Sequence, residues 1–160
     1  AAYLLTHGHM DHIHALADVC DAAPAPVAMH GDDLAWSFTE ENILPPYYTV
    51  APRRPKGTIR AITGGQEYTD GGLHYKVLHT PGHAPGCVCF YFETSKVLFT
   101  GDTLFAGSVG RTDLPGGSST VLTRSLASLA RLPDDTVIYP GHGPDTTMAR
   151  EKRTNYFMQQ

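Results

Sequence analysis

The hexapeptide His7-Gly8-His9-Met10-Asp11-His12 constrains this chain most tightly, because it packs four metal-competent side chains into six residues. It follows Tyr3-Leu4-Leu5, a short apolar run that reads as a strand ending at Thr6 and feeding a loop. In an extended segment positions i and i+2 point the same way, so His7 and His9 can chelate one ion. Asp11 and His12 turn with the chain into a helix and can face a second ion beside the first. A solvated histidine-rich loop is the bland alternative.

Three later positions repeat one context, a polar ligand type at a strand end flanked by glycine. They are His83 in Thr80-Pro81-Gly82-His83, Asp102 in Thr100-Gly101-Asp102-Thr103, and His142 in Pro140-Gly141-His142-Gly143. Glycine permits the tight turns and close backbone approach needed to aim a side chain from a strand end. Each position alone reads as a turn residue. Four strand ends converging on five histidines and two aspartates are hard to explain as turn chemistry.

The rest of the chain supplies a scaffold for such a rim. Ile13, Leu16 and Val19 recur at spacing three and predict a helix over about 12–20 with Asp11 as its cap. Pro24-Ala25-Pro26 breaks the chain before a buried strand at Val27-Ala28-Met29, a strand–helix–strand rhythm typical of α/β layers. Residues 38–56 are irregular and proline-rich, as functional loops are. Strands are predicted at 58–62, 73–78, 87–92, 97–99 and 136–139, with Leu73, Tyr75 and Val77 on the buried face of their strand. A helix starts at Ser118-Ser119, lines one face with Leu122, Leu126 and Leu129, and stops before Pro133. Thr146 to Thr154 reads as a polar terminal helix.

At 160 residues the chain is expected to form one domain, residues 1–160. A formal net charge of −4 and the lack of a basic cluster argue against nucleic acid as a partner. No apolar run approaches a membrane span, so neither a membrane nor an exported form is expected, and the default compartment is the cytoplasm. Cys20, Cys87 and Cys89 lie in core-like runs, which disfavours both a disulfide framework and a cysteine nucleophile.

With these motifs in place the sequence resembles the metallo-β-lactamase superfamily, whose signature is H-x-H-x-D-H followed by separate His, Asp and His. Within it the chain looks most like glyoxalase II-type hydrolases, through Thr6 to His12, His79-Thr80-Pro81-Gly82-His83-Ala84-Pro85-Gly86, Gly110-Arg111-Thr112-Asp113-Leu114-Pro115-Gly116-Gly117 and Tyr139-Pro140-Gly141-His142-Gly143. The resemblance implies an αββα sandwich with the centre at one edge of its β layers. It assigns His7, His9 and His83 to a first metal and Asp11, His12 and His142 to a second, with Asp102 bridging them. Two divalent ions are therefore the implied cofactors, zinc first, with iron or manganese as alternatives. Such ions lower the pKa of bound water from about 15.7 to about 7, so a bridging hydroxide is the implied nucleophile. Asp11 and Asp102 are the carboxylates of that chemistry.

Around this set, His79 reads as a supporting histidine, because Pro81-Gly82 excludes a helical pair with His83. Arg111 can grip a substrate carboxylate, or it can pair locally with Asp113. Tyr47 and Tyr48 read as exposed loop aromatics that can also wall a pocket, and His14, His30 and His74 have no motif context. The implied activity is hydrolysis of a small-molecule thioester, with S-lactoylglutathione as the type substrate. Persulfide dioxygenases also resemble the chain through the Gly-Arg-Thr-Asp loop, and imply one iron and O₂ instead. β-Lactamase activity is disfavoured because many lactamases of the family carry cysteine where this chain has Asp102. Superfamily domains usually place strands ahead of H-x-H-x-D-H, so a third expectation is a truncated domain that is inactive or dependent on a partner.

Overall fold

Two sheets divide the strands. In the computed structural model, which describes residues 1–159, β1 (Tyr3–Leu4) runs through the His7–His9 loop into α1 (Met10–Ile13) and α2 (Leu16–Ala22). Then come β2 (Val27–His30), the single-turn α3 (Gly31–Leu34), a 3₁₀ turn at Glu40–Asn42 and β3 (Ile59–Ile62). These three strands form a parallel sheet in the order β1-β2-β3, with Val27 opposite both Tyr3 and Ile59.

The second sheet begins with β4 (Glu67–Asp70), β5 (Leu73–His79), β6 (Val88–Phe92) and β7 (Val97–Gly101). A small hairpin follows, β8 (Leu104–Phe105) and β9 (Ser108–Val109), and then α4 (Ser119–Leu129). The chain closes with β10 (Val137–Pro140), β11 (Thr146–Thr147), α5 (Met148–Thr154) and a 3₁₀ turn at Tyr156–Met158. The six-stranded order is β11-β10-β7-β6-β5-β4. β6 is antiparallel to both β5 and β7, while β10 is parallel to β7. β5, β7 and β10 therefore point the same way, and their C-terminal ends share a rim. The Val88 amide donates to the Thr6 carbonyl at 2.8 Å, which brings the end of β1 to the same rim.

Alternation along the strands builds the layers. Cys89, Tyr91, Leu98 and Ile138 face α4 and meet Leu122, Leu126 and Leu129. On the opposite face Tyr75, Val77, Val88 and Phe90 meet Ala28 and Ile62 of the small sheet. Ile13 and Leu16 cover the outside of that sheet over Val27 and Met29. The result is the expected αββα sandwich. Each fully buried aliphatic side chain in it contributes on the order of 1.5–3 kcal/mol.

Local departures from the sequence reading have physical causes. The helix over 12–20 is two helices, and Val19 is 43% exposed. A step of three residues turns a helix about 60° short of a full revolution, so two such steps carry Val19 off the face that Ile13 and Leu16 bury. Asp11 is not the helix cap. His9 holds the N-cap position of α1, and Asp11 sits within the first turn with its carboxylate toward His12 and His142. Leu73 is 63% exposed beside the turn at Gly71-Gly72, although Tyr75 and Val77 are buried as expected. β4 was not expected, since Glu67-Tyr68-Thr69-Asp70 carries little apolar signal and is held by pairing with β5. The terminal segment splits into β11 and α5, with Thr147 capping the helix by accepting from the Arg150 amide. No helix among the described residues is long and apolar enough to cross a membrane.

Candidate metal centre

The rim shared by β1, β5, β7 and β10 gathers all seven histidines and aspartates singled out above. His7 and His9 leave β1, and Asp11 and His12 follow in α1. His83 lies beyond β5, Asp102 directly after β7 and His142 just beyond β10. His9 Nδ1 and His83 Nε2 stand 2.8 Å apart, and the His7 ring lies 5.1 and 5.0 Å from those of His9 and His83. Beside this triad, His142 Nε2 is 3.1 Å from Asp11 Oδ2 and 3.3 Å from His12 Nε2, and His12 Nε2 is 3.6 Å from Asp11 Oδ2. Asp102 stands between the two groups. Its Oδ2 is 3.6 Å from His83 Nε2 and 3.4 Å from His142 Nε2, while Oδ1 is 3.3 Å from His12 Nε2.

The donor set fits a divalent cation. His7 Nε2 and Asp102 Oδ1 are buried and accept no aligned hydrogen bond, Oδ1 lying near His12 without the required geometry. An unsatisfied buried polar atom costs roughly 1–3 kcal/mol, so two lone pairs aimed into one cluster call for an electrophile. Each triad, His7-His9-His83 and Asp11-His12-His142, offers three atoms within 4.8 Å of one another, and His7-His12-Asp102 does the same between them. Mixed imidazole and carboxylate donors suit zinc and iron alike.

Electrostatics prepares the imidazoles as donors. Burial drives the His7 pKa well below its ordinary value, and the neighbouring histidines add to the shift. Burial and His83 lower His9 to about 4. Both rings are therefore neutral at neutral pH. Burial alone would lower His12 too, but Asp102 and Asp11 outweigh it and leave its pKa raised. Burial would raise Asp102, yet His12, His83 and His142 hold it below the ordinary carboxylate value.

The supports are as definite as the donors. His83 Nδ1 donates to the Arg111 carbonyl at 2.7 Å, which leaves Nε2 as the bare nitrogen facing the cluster. His79 Nε2 donates to the Pro85 carbonyl at 2.9 Å and so pins the His83 loop from behind, in keeping with a supporting role. Asp33, fully buried at the start of α3, accepts from the Gly8 amide at 2.7 Å and from the Gly86 amide at 2.6 Å. One carboxylate thus ties the loop of His7 and His9 to the loop of His83. Asn42 adds a strut by donating to the carbonyls of Gly8 and Ser37, each at 2.8 Å. At Gly141 the backbone passes so close to Asp102 and His12 that a Cβ would collide with the Asp102 carboxylate.

Sequence reasoning missed Asp33, although Gly31-Asp32-Asp33 follows β2 in the same glycine-flanked, strand-end context as His83, Asp102 and His142. Arg111 lines the cavity beside the centre, but its guanidinium is held by Asp113 through two bonds of 2.6 and 2.7 Å. Tyr47 and Tyr48 both line that cavity. Tyr47 is 83% exposed at its lip, and Tyr48 is half-buried against the ring of His14. His74 pairs with Glu67 on the surface, and His30 stacks face to face on His79 at 4.3 Å. Burial pushes the Cys87 thiol well up and the Cys89 thiol to about 12, so neither supplies a thiolate.

The sequence model of the Metallo-beta-lactamase superfamily matches residues 2–142, a span containing all seven gathered side chains. The chain belongs to the metallo-β-lactamase superfamily. Relatives similar to it carry different names. It is 36% identical over 167 residues to the hydroxyacylglutathione hydrolase GloC of Haemophilus influenzae, covering 97% of this chain and 74% of GloC. Its structure is similar to that of BLEG-1, described as a B3 metallo-β-lactamase, with a TM-score of 0.89 and 36% identity over 99% of this chain and 77% of that one. It is also similar to TTHA1623 in a di-iron-bound form, with a TM-score of 0.84 and 41% identity over 98% of this chain and 76% of that one.

Proposed function

We propose that this chain is a binuclear metal-dependent hydrolase acting on thioesters. The observation that carries the reading is the pair of donor triads joined by Asp102, with interatomic distances of 2.8–3.6 Å already set by the fold. In this reading His7, His9 and His83 hold one ion, Asp11, His12 and His142 hold the other, and Asp102 serves both. When bound, two divalent ions supply a water acidified to a pKa of about 7 and Lewis acidity for the carbonyl under attack. The protein supplies everything else. Asp33 holds the two donor loops together, Asn42 braces the loop of His7 and His9 at Gly8, and the Arg111 carbonyl fixes the tautomer of His83. Asp11 and Asp102 provide the negative charge that makes a doubly charged pair of ions tolerable at one rim.

Likeness to GloC supports a thioester as substrate, while likeness to BLEG-1 keeps a β-lactam in the comparison. The di-iron form of TTHA1623 supports iron beside zinc as an occupant. The alternative, a mononuclear iron persulfide dioxygenase, needs one donor triad, and the assembled Asp11-His12-His142 set permits a second ion without requiring it. The deciding experiment measures metal content per chain together with turnover of a panel holding a small thioester, glutathione persulfide with O₂ and a β-lactam. Two metals and thioester hydrolysis are expected. One iron with O₂ uptake on the persulfide, or a β-lactam turned over faster than any thioester, would refute the proposal.

A further inference from the structure

Beside the donor cluster lies an open cavity of about 780 Å³. Trp36, Ile43, Leu44 and Tyr48 line it, as do Phe105 and Val109 of the β8–β9 hairpin. Trp36 reaches the centre itself, its ring 5.4 Å from that of His9. Apart from the histidines and aspartates of the cluster, the charged side chains among the described residues lining this space are Glu41 and Arg111. Glu41 is an anion. Arg111 is the sole cation, and Asp113 occupies its guanidinium in a two-bond pair. A glutathione conjugate brings two carboxylates, each of which needs a cation or a set of amide donors when it leaves water. Among the described residues, no lining side chain offers an unpaired cation.

We infer that the cavity selects thioesters whose non-reacting part is apolar and uncharged, in preference to glutathione conjugates. This rests on the hydrolase reading and names the substrate class of the same site. Aromatic and branched walls gain from each methylene placed against them, by roughly 0.8 kcal/mol or about fourfold in kcat/KM. They gain nothing from a carboxylate, and Glu41 repels it.

The test uses the metal-loaded chain and a series of acetyl, butyryl and hexanoyl thioesters of N-acetylcysteamine beside S-lactoylglutathione. Expected is a kcat/KM that climbs about fifteenfold at each two-carbon step and exceeds that of S-lactoylglutathione at least tenfold for the hexanoyl ester. Leu44→Asp, at a position 40% exposed and so safe for folding, should flatten the series. Asp113→Asn releases Arg111 and should raise kcat/KM for S-lactoylglutathione relative to the hexanoyl ester. Trp36 is the only tryptophan in the chain and lines the cavity, so its fluorescence reports binding without turnover. The thioether S-hexyl-N-acetylcysteamine should bind at least tenfold tighter than S-methylglutathione. A flat acyl series, or S-methylglutathione binding as tightly, overturns the inference and leaves the hydrolase reading standing. Tight hexyl binding with no thioester hydrolysed by a chain carrying two metals overturns the hydrolase reading and, with it, the thioester assignment.

Discussion

Asp33→Asn changes two atoms' worth of chemistry at constant volume, and its cost follows from the geometry. Both carboxylate oxygens accept backbone amides, from Gly8 at 2.7 Å and Gly86 at 2.6 Å, in a fully buried site. An asparagine keeps one acceptor and turns a donor toward the other amide. One charge-assisted hydrogen bond is lost, about 1.5–3 kcal/mol, and a buried N–H is left facing another donor. Relief of the burial that raises the Asp33 pKa offsets part of this. The expected net loss is about 2–4 kcal/mol, or a fall in Tm on the order of 10 °C for a chain of this size. The two amides belong to the loops of His7-His9 and of His83, so the damage falls on one triad. Affinity for the ion held there should drop roughly 10–100-fold, as when a ligand's supporting partner is removed. The Asp11-His12-His142 triad should suffer less. Urea denaturation of the metal-free chain reads the first effect, and competition with a chromophoric chelator reads the second. A variant within 0.5 kcal/mol of the parent that keeps both affinities would show that the clamp positions nothing.

Other outcomes follow from the same structure. Asp102→Ala should reduce bound metal from two ions to one and abolish most turnover, read by elemental analysis of the dialysed protein; a fully active variant with two metals would contradict the bridge. Asp70 accepts from Arg60 of the small sheet and from Tyr75 of the neighbouring strand β5, and these bonds hold its pKa below the usual 3.8. Its folded pKa is depressed, so the stabilisation is fully present above about pH 4 and is lost as the pH falls through the folded value. Asp70→Asn should therefore cost about 1–2 kcal/mol at pH 7, with the difference from the parent shrinking below pH 4 in pH-dependent denaturation. Leu126→Ala, which empties a 2% exposed position between α4 and the large sheet, should cost about 2–5 kcal/mol by the same assay. Cys87 and Cys89 should resist iodoacetamide at pH 8 in the native chain and react on unfolding; rapid native alkylation would contradict their burial.

The residues that gather at the rim were legible from the sequence because four fall in one hexapeptide after an apolar run and three sit singly beside glycine where a strand ends. The strand-end logic located His83, Asp102 and His142 without any knowledge of how the strands are ordered. It gave less at Asp33, where two adjacent acids, Asp32 and Asp33, look alike and differ only in that the second is turned inward by α3. The role of the Arg111 carbonyl was invisible for a deeper reason, since backbone acceptors leave no trace in residue type. β4 escaped because its support comes from β5 and from the Arg60–Asp70 pair, contacts that no local pattern contains. Asp11 misled by having the right residue type for a helix cap two residues too late, with its carboxylate turned toward His12 and His142.

The gathered histidines and aspartates and one side of the apolar lining ride on different stretches of chain. Trp36, Ile43, Leu44, Tyr47 and Tyr48 supply that side, and the gathered residues leave β1, α1, β5, β7 and β10. The Asn42 side chain is a strut between the two, one amide reaching the Gly8 carbonyl. Residues 43–56 are therefore a natural cassette for directed evolution: they can be randomised or exchanged as a block to re-aim specificity, provided Asn42 stays where it is.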